Sequence, residues 1–213
     1  KATPNHTLII FVKYPEPGKV KTRLAAVIGK EKAAQIYKKM AETVISNVSR
    51  SGEYRTVIFF DPPERKKDFE KWIGNGYMML PQEGESLGER IIKAFDKAFS
   101  LGAERAVIIG TDCVEISDEL VSQAFGTLAT VDVVLGPAED GGYYLLGLKK
   151  LIHEIFNEIN WGTNLVLNQT LEKVKKEGLK FQLLKTLKDI DTVNDLSDDL
   201  FAKIHRRDKH DRF

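Results

Sequence analysis

Short apolar, β-branched runs alternate with longer stretches of helical periodicity along most of the chain, and that alternation constrains the fold more than any other feature. The run at 7–12 (TLIIFV) is apolar at nearly every position, as a strand covered on both faces must be. Residues 30–48 place Ala33, Ile36, Tyr37, Met40, Val44, Ile45 and Val48 at spacings of three and four, which predicts a helix with one apolar stripe. A strand at 55–60 is closed by Asp61-Pro62-Pro63, a turn signal, and a short helix at 64–72 leads to a strand at 77–80. Residues 86–101 are helical again, with Leu87, Ile91, Ile92, Phe95 and Phe99 facing inward and Gly102 as the stop. A strand at 106–109 follows, then a helix capped by Ser117 that runs to about 128, and strands at 131–135 and 143–148. The last quarter reads as a helix at 165–176, a strand at 181–184 and a helix from about 194 onward. Strand–helix alternation of this kind predicts one α/β domain over 1–213, in three layers, α/β/α, around a mostly parallel central sheet. The basic, polar stretch 203–213 reads as a C-terminal tail.

Open sheets of this kind bind ligands beyond the carboxyl ends of their strands, which directs attention to the loops at 13–24, 110–116 and 136–142. The first, KYPEPGKVKTRL, carries Lys13, Lys19, Lys21 and Arg23 on a backbone stiffened by Pro15 and Pro17 and opened by Gly18. Exposed backbone N–H groups supplemented by side-chain cations suit a phosphate. It is not a P-loop, because Gly18-Lys19 is followed by Val20 rather than Ser or Thr. A solvated basic turn is the rival reading, and position after a buried strand tilts the balance toward binding.

The second loop opens GTDC, and Asp112 at a strand end is suited to a hard divalent cation, or equally to a turn cap. A distant acidic segment, DIDTVNDL at 189–196, offers Asp189 or Asp191 to the same site, with Asp195 as a first-turn helix acid. The third loop, GPAEDGGYYLLGL, places Glu139 and Asp140 beside Gly141 and Gly142, ahead of Tyr143, as a hairpin able to carry Asp140 into a cleft.

Thirty-two basic and thirty-one acidic side chains leave a net charge of +1, which argues against a general nucleic-acid or membrane-surface binder. The single cysteine, Cys113, permits no intrachain disulfide and fits a reducing, cytoplasmic setting; no run is long enough to span a bilayer. Cys113 reads as a small buried residue, since no histidine stands in an interpretable relation to it. Trp161, in the loop NWGT, is a candidate for lining a pocket.

Taken together, PGKVKTRL, GTDC, GPAEDGGYYLLGL and DIDTVNDL resemble the nucleotide-diphospho-sugar transferase superfamily, with its glycosyltransferase-A-like fold. Within it the chain looks most like the small prokaryotic group of glycosyltransferase-like, selenodomain-associated transferases, over roughly residues 7–200. The resemblance implies that Gly18, Lys21 and Arg23 contact nucleotide phosphates, with Pro17 and Thr22 in the same loop. It implies that Asp112 and Asp191 hold Mg2+ or Mn2+, and that Asp140 and Gly141, with Gly142 and Tyr143 in the same hairpin, face the acceptor. One departure stands out: the group usually has proline after the GTDC cysteine, where this chain has Val114.

The implied chemistry is electrostatic positioning, with Lys21, Arg23 and the Asp112 metal site as the catalytic set. The density of cations in the first loop, and a single acid in GTDC rather than Asp-x-Asp, favour nucleotidyl transfer from a nucleoside triphosphate to a phosphorylated small molecule. Glycosyl transfer from a nucleotide sugar is the alternative. A non-catalytic nucleotide-binding module is a reading of another class. An exposed apolar edge would suit a homodimer.

Overall fold

A computed structural model describes residues 5–49 and 52–196. Its strands are β1 (His6–Lys13), β2 (Arg55–Asp61), β3 (Met78–Pro81), β4 (Arg105–Ile109), β5 (Val133–Pro137), β6 (Tyr143–Leu148) and β7 (Phe181–Leu183). Its α-helices are α1 (Thr22–Ile28), α2 (Lys30–Val48), α3 (Lys66–Ile73), α4 (Leu87–Ser100), α5 (Asp118–Thr127) and α6 (Val166–Lys176).

The strands form one seven-stranded sheet in the order β3-β2-β1-β4-β6-β5-β7. All neighbouring pairs are parallel except those of β6, which runs antiparallel to both β4 and β5. This is the expected mostly parallel α/β sheet. The reversed strand follows from the tight turn after Pro137, where the Ala138 N–H bonds the Gly142 carbonyl at 3.0 Å.

Side chains alternate across a strand, so β1 feeds two cores at once. Leu8, Ile10 and Val12 pack with Val44 and Val48 of α2, Phe69 of α3 and Val121 of α5. Ile9 turns to the other face, against Ile91 and Phe95 of α4 and Val174 of α6. Every stripe residue expected of α2 is buried. Fully burying a Leu, Ile or Phe contributes roughly 1.5–3 kcal/mol, so these two layers fix the sheet between the helices.

Three expectations need correcting, and one element stands where none is expected. Residues 13–24 do not form one loop, because the chain becomes helical at Thr22. A 3-10 helix at His153–Phe156 was not anticipated. Leu87 does not face inward; it is 45% exposed at the start of α4, while Ile91 and Phe95 are buried. The stretch from 194 is a 3-10 turn at Val193–Asp195 closed by a Thr192/Asp195 capping box, and both its expected continuation and the tail 203–213 lie outside the described residues.

Candidate active site

At the carboxyl end of β1 the chain leaves the sheet through a loop held from inside. The Lys13 N–H donates to the Tyr37 hydroxyl at 2.8 Å, and that hydroxyl also accepts from Thr111 Oγ at 3.2 Å. One buried phenol of α2 therefore ties the first loop to the end of β4. Burial keeps the Tyr37 hydroxyl protonated well above its ordinary range. Gly18 turns the loop at φ +82°, and Val20 anchors it against Ala34 and Tyr37. Lys21 follows in the left-handed region (φ 47°, ψ 50°), and α1 begins directly after it without a side-chain cap.

That turn aims Lys21 inward. Its Nζ lies 2.5 Å from Asp112 Oδ1 and 2.7 Å from Asp191 Oδ1, and its side chain is only 4% exposed. Burial alone would lower the Lys21 pKa, but the Asp112 and Asp191 carboxylates outweigh it and hold the ammonium above its ordinary value.

Backbone pairing explains how residues nearly eighty positions apart meet. After β7 the chain continues along β5: Leu184 N–H bonds the Leu135 carbonyl at 2.8 Å, and Leu187 N–H bonds that of Pro137 at 3.0 Å. The Ile190 N–H then donates to the Asp112 carbonyl at 3.0 Å. Asp191 is thereby delivered to Lys21. Asp189 turns instead to Cys113, whose thiol donates to Asp189 Oδ1 at 2.9 Å. Burial, together with the charges of Asp140 and Asp112, pushes the Asp189 carboxyl up to about 7 against the effect of that thiol bond. Burial, then the Asp189 charge, pushes the Cys113 thiol up as well, so it stays neutral.

Around this junction opens a cleft of about 1070 Å³. Lys21, Thr22, Arg23, Asp112, Asp140, Gly142, Tyr143 and Asp191 line it; Pro17, Gly18 and Gly141 do not. Lys13, Lys19 and Arg23 also line it, and no side-chain partner for any of them occurs among the described residues. The Asp140 carboxylate accepts the Gly142 N–H at 2.8 Å, fixing the hairpin tip.

The opposite wall carries residues that sequence reasoning missed. Gln82 is buried, with Nε2 donating to the Phe59 carbonyl at 2.9 Å. Arg90 joins Asp61 at 3.2 Å and the Gly84 carbonyl at 3.0 Å, setting the loop between β3 and α4. Their signal in PQEGESLGER was a glycine-spaced polar stretch before a capped helix, which reads equally well as a plain connection. Trp161 does line the cleft, seated on Gly88 so closely that a Cβ there would stand 2.6 Å from the indole Nε1.

The donor set also bears on a metal. Two carboxylate oxygens within 2.7 Å of one ammonium are hard donors around a single positive charge, which fits Mg2+ or Mn2+. Among the described residues, no cluster of three or more His, Cys, Asp or Glu side chains could hold a metal. Such ions are commonly held by one or two carboxylates, with phosphates and water completing the shell.

Comparison with known proteins agrees with this architecture. A crystal structure from Desulfovibrio desulfuricans G20, of a protein provisionally assigned as a nucleotide-diphospho-sugar transferase, superposes with a TM-score of 0.87 at 36% identity, over 99% of this chain and 90% of that one. The chain belongs to the nucleotide-diphospho-sugar transferase superfamily. Within this superfamily of transferases, residues 44–163 match the family described as "Uncharacterized protein conserved in bacteria (DUF2064)". Structures of much lower identity share the fold. The 4-diphosphocytidyl-2C-methyl-D-erythritol synthase of Anaerococcus prevotii DSM 20548 has a TM-score of 0.58 at 10% identity, over 89% of this chain and 94% of that one. The inositol-1-phosphate CTP transferase of T. maritima has a TM-score of 0.57 at 12% identity, over 96% and 97%. No curated protein matches the chain. Among the described residues, no helix is long and apolar enough to cross a membrane.

Proposed function

We propose that the chain is a metal-dependent nucleotidyltransferase that moves a nucleotidyl group from a nucleoside triphosphate to a phosphorylated small-molecule acceptor. One observation carries this reading. The Lys21–Asp112–Asp191 junction lies in a cleft where Lys13, Lys19 and Arg23 present cations with no side-chain partner among the described residues. That concentration of positive charge suits a triphosphate.

An oxygen of the acceptor phosphate attacks the α-phosphorus, the bond to the bridging α–β oxygen breaks, and pyrophosphate leaves with the electron pair. Lys21 and Arg23 neutralise the charge that builds on the leaving group. Asp112 and Asp191 would hold Mg2+ or Mn2+, which when bound supplies Lewis-acid neutralisation of phosphate oxygens. Asp140, Gly142 and Tyr143 bound the acceptor side. Cys113 is buried, neutral and bonded to Asp189, so it offers no covalent route, and direct displacement is the simplest step.

Glycosyl transfer is kept as a second reading because the 36%-identical relative is described, provisionally, as a nucleotide-diphospho-sugar transferase. A panel of triphosphates, CTP first, with sugar phosphates and other phosphorylated acceptors tests the choice. Pyrophosphate release that needs Mg2+ or Mn2+ and vanishes in Asp112→Asn is expected. Nucleoside diphosphate release from a nucleotide sugar would replace nucleotidyl with glycosyl transfer. Nucleotide binding that survives Asp112→Ala, with no turnover by the wild type, would indicate a binding module.

A further inference from the structure

We infer that the Lys21 ammonium is a resident counter-ion that occupies the cation position between Asp112 and Asp191, and that it must leave before a divalent cation can enter. This rests on the metal-dependent reading above.

The geometry is that of an occupied site. The ammonium contacts one oxygen from each carboxylate, at 2.5 and 2.7 Å, and its side chain is 4% exposed while those of Asp112 and Asp191 are 52% and 39% exposed. The charge is therefore lodged inside, between two acids that still reach solvent. The backbone supports the same view. Lys21 holds φ 47° and ψ 50°, a conformation costly for a residue with a Cβ, at the start of a helix that lacks a side-chain cap. Strain of this kind persists only where other contacts over-determine it; here the Lys21 carbonyl accepts the Ala25 N–H at 2.8 Å, and the two ion pairs hold the side chain inward. Of the four cations in the first loop, Lys21 alone has an ion-pair partner among the described residues.

With Lys21 in place, two acids and one ammonium carry a net charge of −1, and an entering divalent cation would meet the ammonium at contact range. With Lys21 withdrawn, both carboxylates are free to bind metal. A donor phosphate in the same cleft gives the ammonium a second anionic partner, so phosphate and metal are expected to bind together, each favouring the other. The protein without nucleotide should then hold metal poorly.

Mn2+ binding, followed by electron paramagnetic resonance on purified full-length protein without nucleotide, tests this. Lys21→Met removes the charge and keeps the bulk; Lys21→Gly removes it and suits the left-handed backbone, so folding is protected in one variant or the other. Both should bind Mn2+ about tenfold more tightly than the wild type, or more. Adding Asp191→Asn should abolish the gain. Melting temperature gives a second readout: without metal both variants should lose the ion-pair contribution, and Mn2+ should raise their melting temperatures more than that of the wild type. Equal Mn2+ affinity in the wild type and both variants would overturn the inference and leave the metal site standing. No Mn2+ binding to any of the three, with or without CTP, would overturn the metal site and the inference together.

Discussion

Replacing Gly88 with alanine is expected to have opposite effects depending on whether Trp161 is present. Gly88 is the second residue of α4, and a Cβ there would stand 2.6 Å from Trp161 Nε1 and 2.9 Å from Cε2, both too close for undisturbed packing. Overpacking of this kind costs about 1–3 kcal/mol. Alanine in place of helical glycine returns up to about 1 kcal/mol. The net expectation is a loss of about 1–2 kcal/mol, or roughly 2–8 °C in melting temperature for a chain of this length. The indole belongs to a loop and is only partly buried, so it should yield by moving. It lines the cleft, so its displacement should raise the KM for substrate more than it lowers kcat. Tryptophan fluorescence in a Trp72→Phe background reports the movement directly, since Trp72 is the only other tryptophan. In a Trp161→Ala background the clash is gone, and Gly88→Ala should stabilise by up to about 1 kcal/mol through helix propensity alone. The same destabilisation in both backgrounds, or unchanged fluorescence, would refute the claim that Gly88 is kept small to seat the indole.

Three further outcomes follow from local geometry. Gly141→Ala should cost about 2 kcal/mol or more, because φ is +90° and the new Cβ would run into the Asn164 backbone rather than a flexible side chain; calorimetry, and new proteolytic cleavage near residues 160–167, would register it. Ser86→Ala should lose about 1 kcal/mol, since Ser86 Oγ accepts the Glu89 N–H at 3.2 Å as the cap of α4; an unchanged melting temperature would show that the cap carries nothing. Asp132 accepts the Lys180 N–H at 2.9 Å and pairs with Lys149, which together hold its carboxyl below its ordinary value. A folded-state pKa below the unfolded one contributes stability above the unfolded value, near 3.9, and loses it as pH falls through the folded value. The gap of about 1 kcal/mol between wild type and Asp132→Asn at pH 7 should therefore shrink on acidification below about pH 4, and a gap that widens there would contradict the assignment.

The parts of this molecule legible in the sequence are those fixed by local pattern. The Lys30–Val48 helix and the Tyr143–Leu148 strand lie where the periodicity puts them, because a continuous apolar face leaves one way to bury it. The start of α1 escaped notice for the complementary reason. It begins on a left-handed lysine without a side-chain cap and buries only Leu24, so neither a cap nor a stripe announces it. The acids of the site were visible as candidates, but the choice between Asp189 and Asp191 depends on one long-range hydrogen bond, from Ile190 N–H to the Asp112 carbonyl, that no local spacing encodes. Gln82 and Arg90 were missed on similar grounds: what sets them in the cleft wall is pairing with Phe59, Asp61 and Gly84 across strands and loops.

On the proposed function, Lys21, Asp112 and Asp191 form the centre of a metal-dependent transfer site. A crystal soaked with Mn2+ and CTP tests it most directly, read by anomalous scattering at the manganese edge. One manganese peak bridged by Asp112 and Asp191 is expected, with the Lys21 ammonium withdrawn from between them and phosphates against Arg23. Nucleotide bound in the cleft with no manganese between those two carboxylates would contradict it.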